Sequence, residues 1–242
     1  MDNIDWKFVK RAEKVTSFNL DAKDFTVQKN KESIQHIFNK HFFPKFDLSK
    51  TLDRVDATQL NRLISELRSE NPAMLQAMHF YNLKGVGPGE VLIYFLVKNG
   101  FLGGGSSSGV DFITPGKGYE IKAVEVNQAG YATNFKVGGT FDLSPILRRA
   151  TELKKLAGAG GEGVNLSAIK LIKQKIPGEW EKVDKAFVEL TYDKYFQHHH
   201  VIFMNNRKNA QLGAIEAIKQ VKREDIVLER ITSGTAKPAV KI

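Results

Sequence analysis

The sequence predicts a mixed α/β fold, on three observations. Helical spacing of apolar residues fills about the first 80 positions, a turn-joined pair of β-branched segments follows near the middle, and helical and strand patterns then alternate to the C-terminus. That order implies a sheet with helices packed against it. Over 33–43, Ile34, Ile37, Phe38 and Phe42 fall at helical spacing. Residues 56–67 repeat the pattern through Leu60, Leu63, Ile64 and Leu67, with Asp56 or Thr58 available to cap the start. Pro72 stands near the first turn of a short helix over 73–81. These segments make an N-terminal helical region, assigned to 1–84.

Composition changes at Gly85, where a core region over 85–242 is expected to begin. Gly85-Val86-Gly87-Pro88-Gly89 reads as a loop, and Pro88 is positioned to start a helix over 90–98 that stops at Asn99-Gly100. Phe101-Leu102 and a Gly/Ser run over 103–109 lead to a strand over 110–114. Pro115-Gly116-Lys117-Gly118 is a turn signal, and 119–126 returns as a β-branched strand, so 110–126 reads as a hairpin. Residues 130–140 read as irregular or as a further strand edge. Ser144-Pro145 opens a helix to about Ala157, 158–163 is a glycine-rich loop, and 164–175 is helical, ending at Pro177-Gly178. The pattern then predicts strands over 186–192 and 200–204, a helix over 211–222 and a last strand over 226–232.

Of 242 residues, 42% are hydrophobic and 26% charged, ordinary values for a globular chain. No apolar run approaches the roughly 20 residues that cross a bilayer, so no membrane partner is expected. Asp2, Asp5 and the alternating charges around them leave no apolar signal segment. The absence of cysteine removes disulfides, zinc-thiolate sites and cysteine nucleophiles, and fits a cytoplasmic, intracellular protein. The formal charge of +9 favours polyanionic partners, because each phosphate contact releases condensed counterions. Charge names a partner class and no reaction.

The chemistry concentrates in 89–124: an acid on a helix (Glu90), an acid in a strand (Asp111), a tight turn, and Glu120-Ile121-Lys122 in the returning strand. Side chains two apart on a strand share a face, so Glu120 and Lys122 project together, and the turn brings Asp111 beside them. Two converging carboxylates repel unless a cation lies between them. Hard oxygen donors suit Mg²⁺, with Mn²⁺ as a substitute, and Glu90 would join the same metal shell or hold a second ion. A bound ion of this kind acidifies water and polarises a phosphodiester, and a neighbouring lysine offsets charge on the pentacovalent phosphate.

This block resembles the PD-(D/E)xK nuclease superfamily, which includes type II restriction enzymes and archaeal Holliday-junction resolvases. Val110-Asp111 stands at the Pro-Asp position, Glu120-Ile121-Lys122 at the (Asp/Glu)-x-Lys position, and Glu90 matches the helical glutamate. Ser106 to Ser108 are similar to the serine often found before the aspartate in resolvase-like members, while valine replaces the proline of the motif. The likeness covers about 85–126, with the helix from Ser144 to Ala157 as a further candidate. It implies a restriction-endonuclease-like mixed sheet flanked by helices, and a Mg²⁺-dependent endonuclease acting on DNA. Asp111, Glu120 and the Ile121 carbonyl would hold the metal, Lys122 would position water, and Glu90 would support the shell. Symmetric double-strand cutting would imply a homodimer. The alternative is a non-cutting DNA-binding or virion/assembly protein that retains the nuclease fold.

Other candidates are weaker. His198-His199-His200 alternates on a strand so that His198 and His200 share a face, yet no acid or cysteine is near in sequence, and a solvated loop is the expected reading. Gly85-x-Gly87-x-Gly89 lacks a preceding strand and the Walker lysine, so it is not read as a nucleotide loop. Arg148, Arg149, Lys154 and Lys155 on one helix, then Lys170, Lys173 and Lys175, and Arg207 with Lys208, fit a solvated face as well as a DNA-facing patch. No serine has a His/Asp partner at interpretable spacing.

Overall fold

The structure, a computed structural model of the chain, describes residues 20–42, 45–81, 83–103, 110–137, 142–232 and 235–242. Asp2, Asp5, Phe43, Gly104, Gly105, Ser106 to Ser108 and residues 138–140 therefore lie outside the described residues. In chain order, the described elements begin with helices α1 (Ala22–Phe25), α2 (Lys31–His41), α3 (Ala57–Glu70), α4 (Pro72–His79) and α5 (Glu90–Leu96). Strands β1 (Phe101–Leu102), β2 (Phe112–Thr114), β3 (Lys117–Val126) and β4 (Tyr131–Thr133) follow. Then come helices α6 (Ser144–Ala157), α7 (Leu166–Lys175) and α8 (Pro177–Thr191). Strands β5 (His200–Asn205), β6 (Ile215–Gln220), β7 (Ile226–Thr232) and β8 (Thr235–Lys241) complete the chain.

The expected mixed α/β character is present, and the chain divides into two compact units. One comprises Met1–Glu125 and His199–Lys219, the other Val126–His198 and Gln220–Ile242. The helical region expected over 1–84 belongs to the first unit together with the central hairpin and β5.

In the first unit, local chemistry explains the helices. The Asp56 carboxylate accepts from Gln59 N at 2.9 Å and so caps α3, one of the two caps the sequence offered. Asn71 caps α4 by accepting from Met74 N, with Pro72 in its first turn. Leu60, Leu63, Ile64 and Leu67 of α3 and Ile34 and Phe38 of α2 are buried at helical spacing. All seven residues of α5 are buried, the pattern of a helix covered on every side. Aromatic edges knit the helices together, with Phe38 at 4.8 Å from Phe95 and Phe25 at 5.2 Å from Tyr94 between ring centroids. The same apolar cluster takes in Tyr119 and Ile121 of β3 and Ile202 and Met204 of β5.

The sheet of this unit is mixed. β1 pairs antiparallel with β2, β2 antiparallel with β3, β3 parallel with β5, and β6 pairs β5. Residues 211–222 were expected to form a helix. They instead supply β6, because Asn205 and Ala214 backbones bond, Gly213 N donates to Asn205 O, and the Asn205 amide holds the Glu216 carboxylate at 2.6 Å. Strand pairing satisfies the backbone here and overrides local helix preference.

In the second unit, β4, β8 and β7 form an antiparallel sheet in that order. Helix α6 closes on Gly158 in the left-handed region (φ +70°), whose N–H meets the Lys154 and Lys155 carbonyls. A strand was expected over 186–192. That segment is the end of α8: Trp180, Val183, Phe187 and Thr191 are buried at helical spacing, and Pro177 starts the helix. The chain then passes through a π-helical turn over Tyr192–Phe196. β8 follows the strand read as the last; its Pro238 lies opposite Leu228, where the β7 register shifts. No helix among the described residues is long and apolar enough to cross a membrane.

Gly100 sits directly against the fully buried Phe112 ring, and a Cβ there would overlap it. Gly100→Ala should therefore cost about 1–3 kcal/mol through overpacking, read as a lower urea midpoint at unchanged slope. Gly178, in the first turn of α8, has nothing within 4 Å of a Cβ. Gly178→Ala should be neutral or stabilising by up to about 1 kcal/mol.

Candidate active site

The site begins with a two-residue turn. Pro115 and Gly116 (φ +76°) reverse the chain, so that Thr114 faces Lys117 and Phe112 faces Tyr119. One step further, Asp111 N donates to Tyr119 O at 3.0 Å, and the ladder stops. The next β3 amide on that side, Ile121 N, is taken by the Asp111 carboxylate at 2.8 Å. A side chain thus replaces a strand partner, which pins Asp111 against the edge of β3. Because N–H and C=O of one strand residue point the same way, the Ile121 carbonyl leaves β3 on the Asp111 side.

Alternation does the rest. Tyr119 and Ile121 enter the apolar cluster, while Glu120 and Lys122 project from the opposite face. Lys122 Nζ lies 2.6 Å from Glu120 Oε1 and 3.5 Å from Asp111 Oδ2, so one ammonium bridges both carboxylates. The Glu120 side chain is 7% exposed and those of Lys122 and Asp111 17% and 20%, which makes this a shielded cluster rather than a solvated surface pair.

Glu90 opens α5 after Gly89 (φ +90°), and its Oε1 accepts from Gly87 N at 2.6 Å. A Cβ on Gly87 would come within 2.7 Å of that oxygen, so this glycine of the loop is required by close approach. Burial pushes the Glu90 carboxyl up to about 9, with the Asp111 charge adding to it and Glu120 contributing less; the Gly87 amide and Lys122 pull the other way. Glu90 therefore holds a proton at neutral pH.

All four predicted side chains, Glu90, Asp111, Glu120 and Lys122, meet in one place, with the Ile121 backbone beside them. Among the described residues no three acid or imidazole side chains stand as a ready-made cation cage. The donor chemistry nonetheless fits a hard divalent ion: two carboxylates share one ammonium, and Glu90 keeps its proton chiefly because it is buried, with the Asp111 charge adding to that.

One neighbour was missed. His200 packs beside Tyr119, at 6.1 Å between ring centroids. Burial, then the Lys117 charge, lower its pKa. The missed residue is His199: its Nδ1 is 3.3 Å from where a Cβ on Gly118 would stand, and Gly118 shares one face of β3 with Glu120 and Lys122. No local signal could reveal it, because the parallel pairing of β3 with β5 joins segments far apart in sequence.

Among the basic candidates elsewhere, Arg149, Lys154, Lys175 and Arg207 have partners. Arg149 bonds Glu179 at 2.6 Å and Glu152 at 3.2 Å, Arg207 lies 3.5 Å from Glu125, and Lys175 donates to Ala157 O. Lys154 donates to Gly161 O. Comparison with protein-family models, with curated proteins and with solved structures finds no match.

A carboxyl whose folded pKa is raised stabilises the protein fully below its unfolded value near 4.5, and that contribution is lost as pH rises through about 9. In EDTA, melting temperature should fall from pH 5 to pH 9 more steeply for the wild type than for Glu90→Gln. Parallel melting curves across that range would contradict the charge assignment.

Proposed function

We propose that this chain is a divalent-cation-dependent endonuclease that hydrolyses DNA phosphodiester bonds, with a restriction-endonuclease-like core of the PD-(D/E)xK type. What carries the reading is a single arrangement: Asp111 and Glu120 share the Lys122 ammonium at the edge of a hairpin, with a protonated Glu90 behind them. The motif spacing noted in the sequence, D-x8-E-x-K, supplies the side chains that this chemistry needs.

Asp111, Glu120 and the Ile121 carbonyl would hold Mg²⁺, with Mn²⁺ as a substitute and Glu90 supporting the shell. The ion supplies Lewis acidity toward a phosphate oxygen and toward water. Lys122 then has two duties open to its ammonium: orienting the attacking water, and offsetting the extra negative charge on the pentacovalent phosphate. Glu90 would release its proton more readily with cationic charge in the site, because burial and then the Asp111 charge hold its pKa high and the second of these would be compensated. Asp111 has a second task, since its bond to Ile121 N fixes the strand edge on which the other groups ride. The net charge of +9 assists approach to DNA through backbone phosphates, without sequence information. Cutting both strands of a duplex would require two such sites, hence a homodimer.

One observation favours a second reading, a DNA-binding or assembly protein that keeps the fold without cutting: Lys122 already pairs with both acids internally. A plasmid-nicking assay separates the two. Supercoiled DNA should be nicked with Mg²⁺ and stay intact in EDTA, and Glu120→Ala and Lys122→Ala should each lose about 10²-fold or more in rate. Cutting that survives both substitutions removes this site from consideration, and DNA retention with no cutting supports the second reading. Asp111→Asn keeps size and removes charge, so calorimetry should find Mg²⁺ affinity reduced about tenfold or more with the fold intact.

A further inference from the structure

A second charged feature lies in the first unit, at the other end of α5 from Glu90. A cleft of about 710 Å³ is lined there by the first turn of α2 and by the segments around Ser49 and Lys98. Three lysines line it, Lys29, Lys31 and Lys98, against one acid, Glu32. Among the described residues none of these three lysines is within ion-pair distance of a carboxylate, Glu32 included.

Lys31 is the unusual member. It is 7% exposed, an uncommon state for a lysine without a counter-charge. Its ammonium donates to the Val97 and Lys98 carbonyls and stands 4.8 Å over the Tyr94 ring. Those carbonyls belong to the C-cap residue of α5 and the residue after it, and left bare they would present partial negative charge. Lys31 covers them, so the wall of the cleft is positive where the helix terminus alone would repel an anion. Burial lowers its pKa to about 8, the mark of a cation held without a carboxylate. Exposed Lys29 and Lys98 add mobile positive charge at the rim. The other lining groups are polar, including the Gln28 amide, which reaches Asn99 at 3.4 Å, and the Ser49 hydroxyl; Leu48 is the single apolar side chain.

We infer that this lysine-lined cleft binds a ligand carrying two or more phosphate groups, through Lys29, Lys98 and the fixed charge of Lys31. An apolar ligand would find one leucine there, and a cation would meet three ammonium groups. Closely spaced phosphates match lysines as point charges, without the planar geometry an arginine site would demand. The source is either a nucleic-acid backbone or a free polyphosphate such as a nucleotide tail. The inference stands without the hydrolytic reading, since Glu90, Asp111, Glu120 and Lys122 take no part in it.

The test uses the full chain in EDTA, which prevents any cleavage, with two probes: inorganic pyrophosphate and a mixed-sequence DNA duplex. Lys29→Gln/Lys98→Gln alters two exposed side chains and should leave the melting temperature unchanged. Affinity for at least one probe should fall by about fivefold or more in this variant. For the duplex, the slope of log K against log salt should shrink by about two units, one for each lost phosphate contact. Pyrophosphate binding that the duplex does not displace assigns a free polyphosphate, whereas a reduced duplex slope without pyrophosphate binding assigns the nucleic-acid backbone. Equal affinity of variant and wild type for both probes, or binding of neither, overturns the inference. Glu120→Ala should bind pyrophosphate like the wild type, which keeps this result separate from the fate of the nuclease reading.

Discussion

Three acidic groups and one ammonium share a shielded corner of this protein, and the bond from Ile121 N to the Asp111 carboxylate holds that corner together. Two like charges about 5 Å apart repel by about 3 kcal/mol at an effective dielectric of 20. Attraction to Lys122 offsets that repulsion for Asp111 and Glu120, and protonation removes it for Glu90. The negative charge of the cluster is therefore reduced in two ways that both respond to an incoming cation. An ordinary hairpin would continue its ladder past Tyr119; here the strand leaves and a carboxylate substitutes for it, so local architecture and charge arrangement are one feature.

Packing makes this arrangement rigid on its far side. α5 is buried on every face, so the position of Glu90 is fixed by the core rather than by its own loop. Gly87 lets the carboxyl reach the backbone, Gly100 admits the Phe112 ring beside Asp111, and the Gly89 N–H bonds the His79 carbonyl at the end of α4. His79 itself is fully buried, with its pKa pushed down to about 4 by burial, and its ring meets the Asn206 side chain at 3.0 Å. The helical region thus acts as the support of the site, carrying the charge state of Glu90 through the low polarity around it.

The readable part of the sequence was the part governed by local rules. Pro115-Gly116 fixed the hairpin, alternation set Glu120 and Lys122 on one face, and Asp56 and Pro72 announced helix starts. Residues 186–192 and 211–222 misled for one reason: β-branched and alanine-rich composition states preference, while neighbours decide. Phe187 follows the stripe begun by Trp180, and Ile215 follows the backbone of Asn205. The parallel registry of β3 with β5, which brings His199 beside Gly118, is a long-range pairing that no local window contains. The proton on Glu90 was equally hidden, because it depends on burial and on two acids from another element.

The central claim, that Asp111, Glu120 and the Ile121 carbonyl receive a divalent ion, is most directly tested by titrating Mn²⁺ into isotope-labelled protein and following amide signals. The account predicts paramagnetic broadening that starts at Asp111, Glu120, Ile121 and Lys122, extends to Gly87 through Glu90, and is abolished by Asp111→Asn. Uniform broadening, or broadening centred elsewhere and unchanged in that variant, would contradict it.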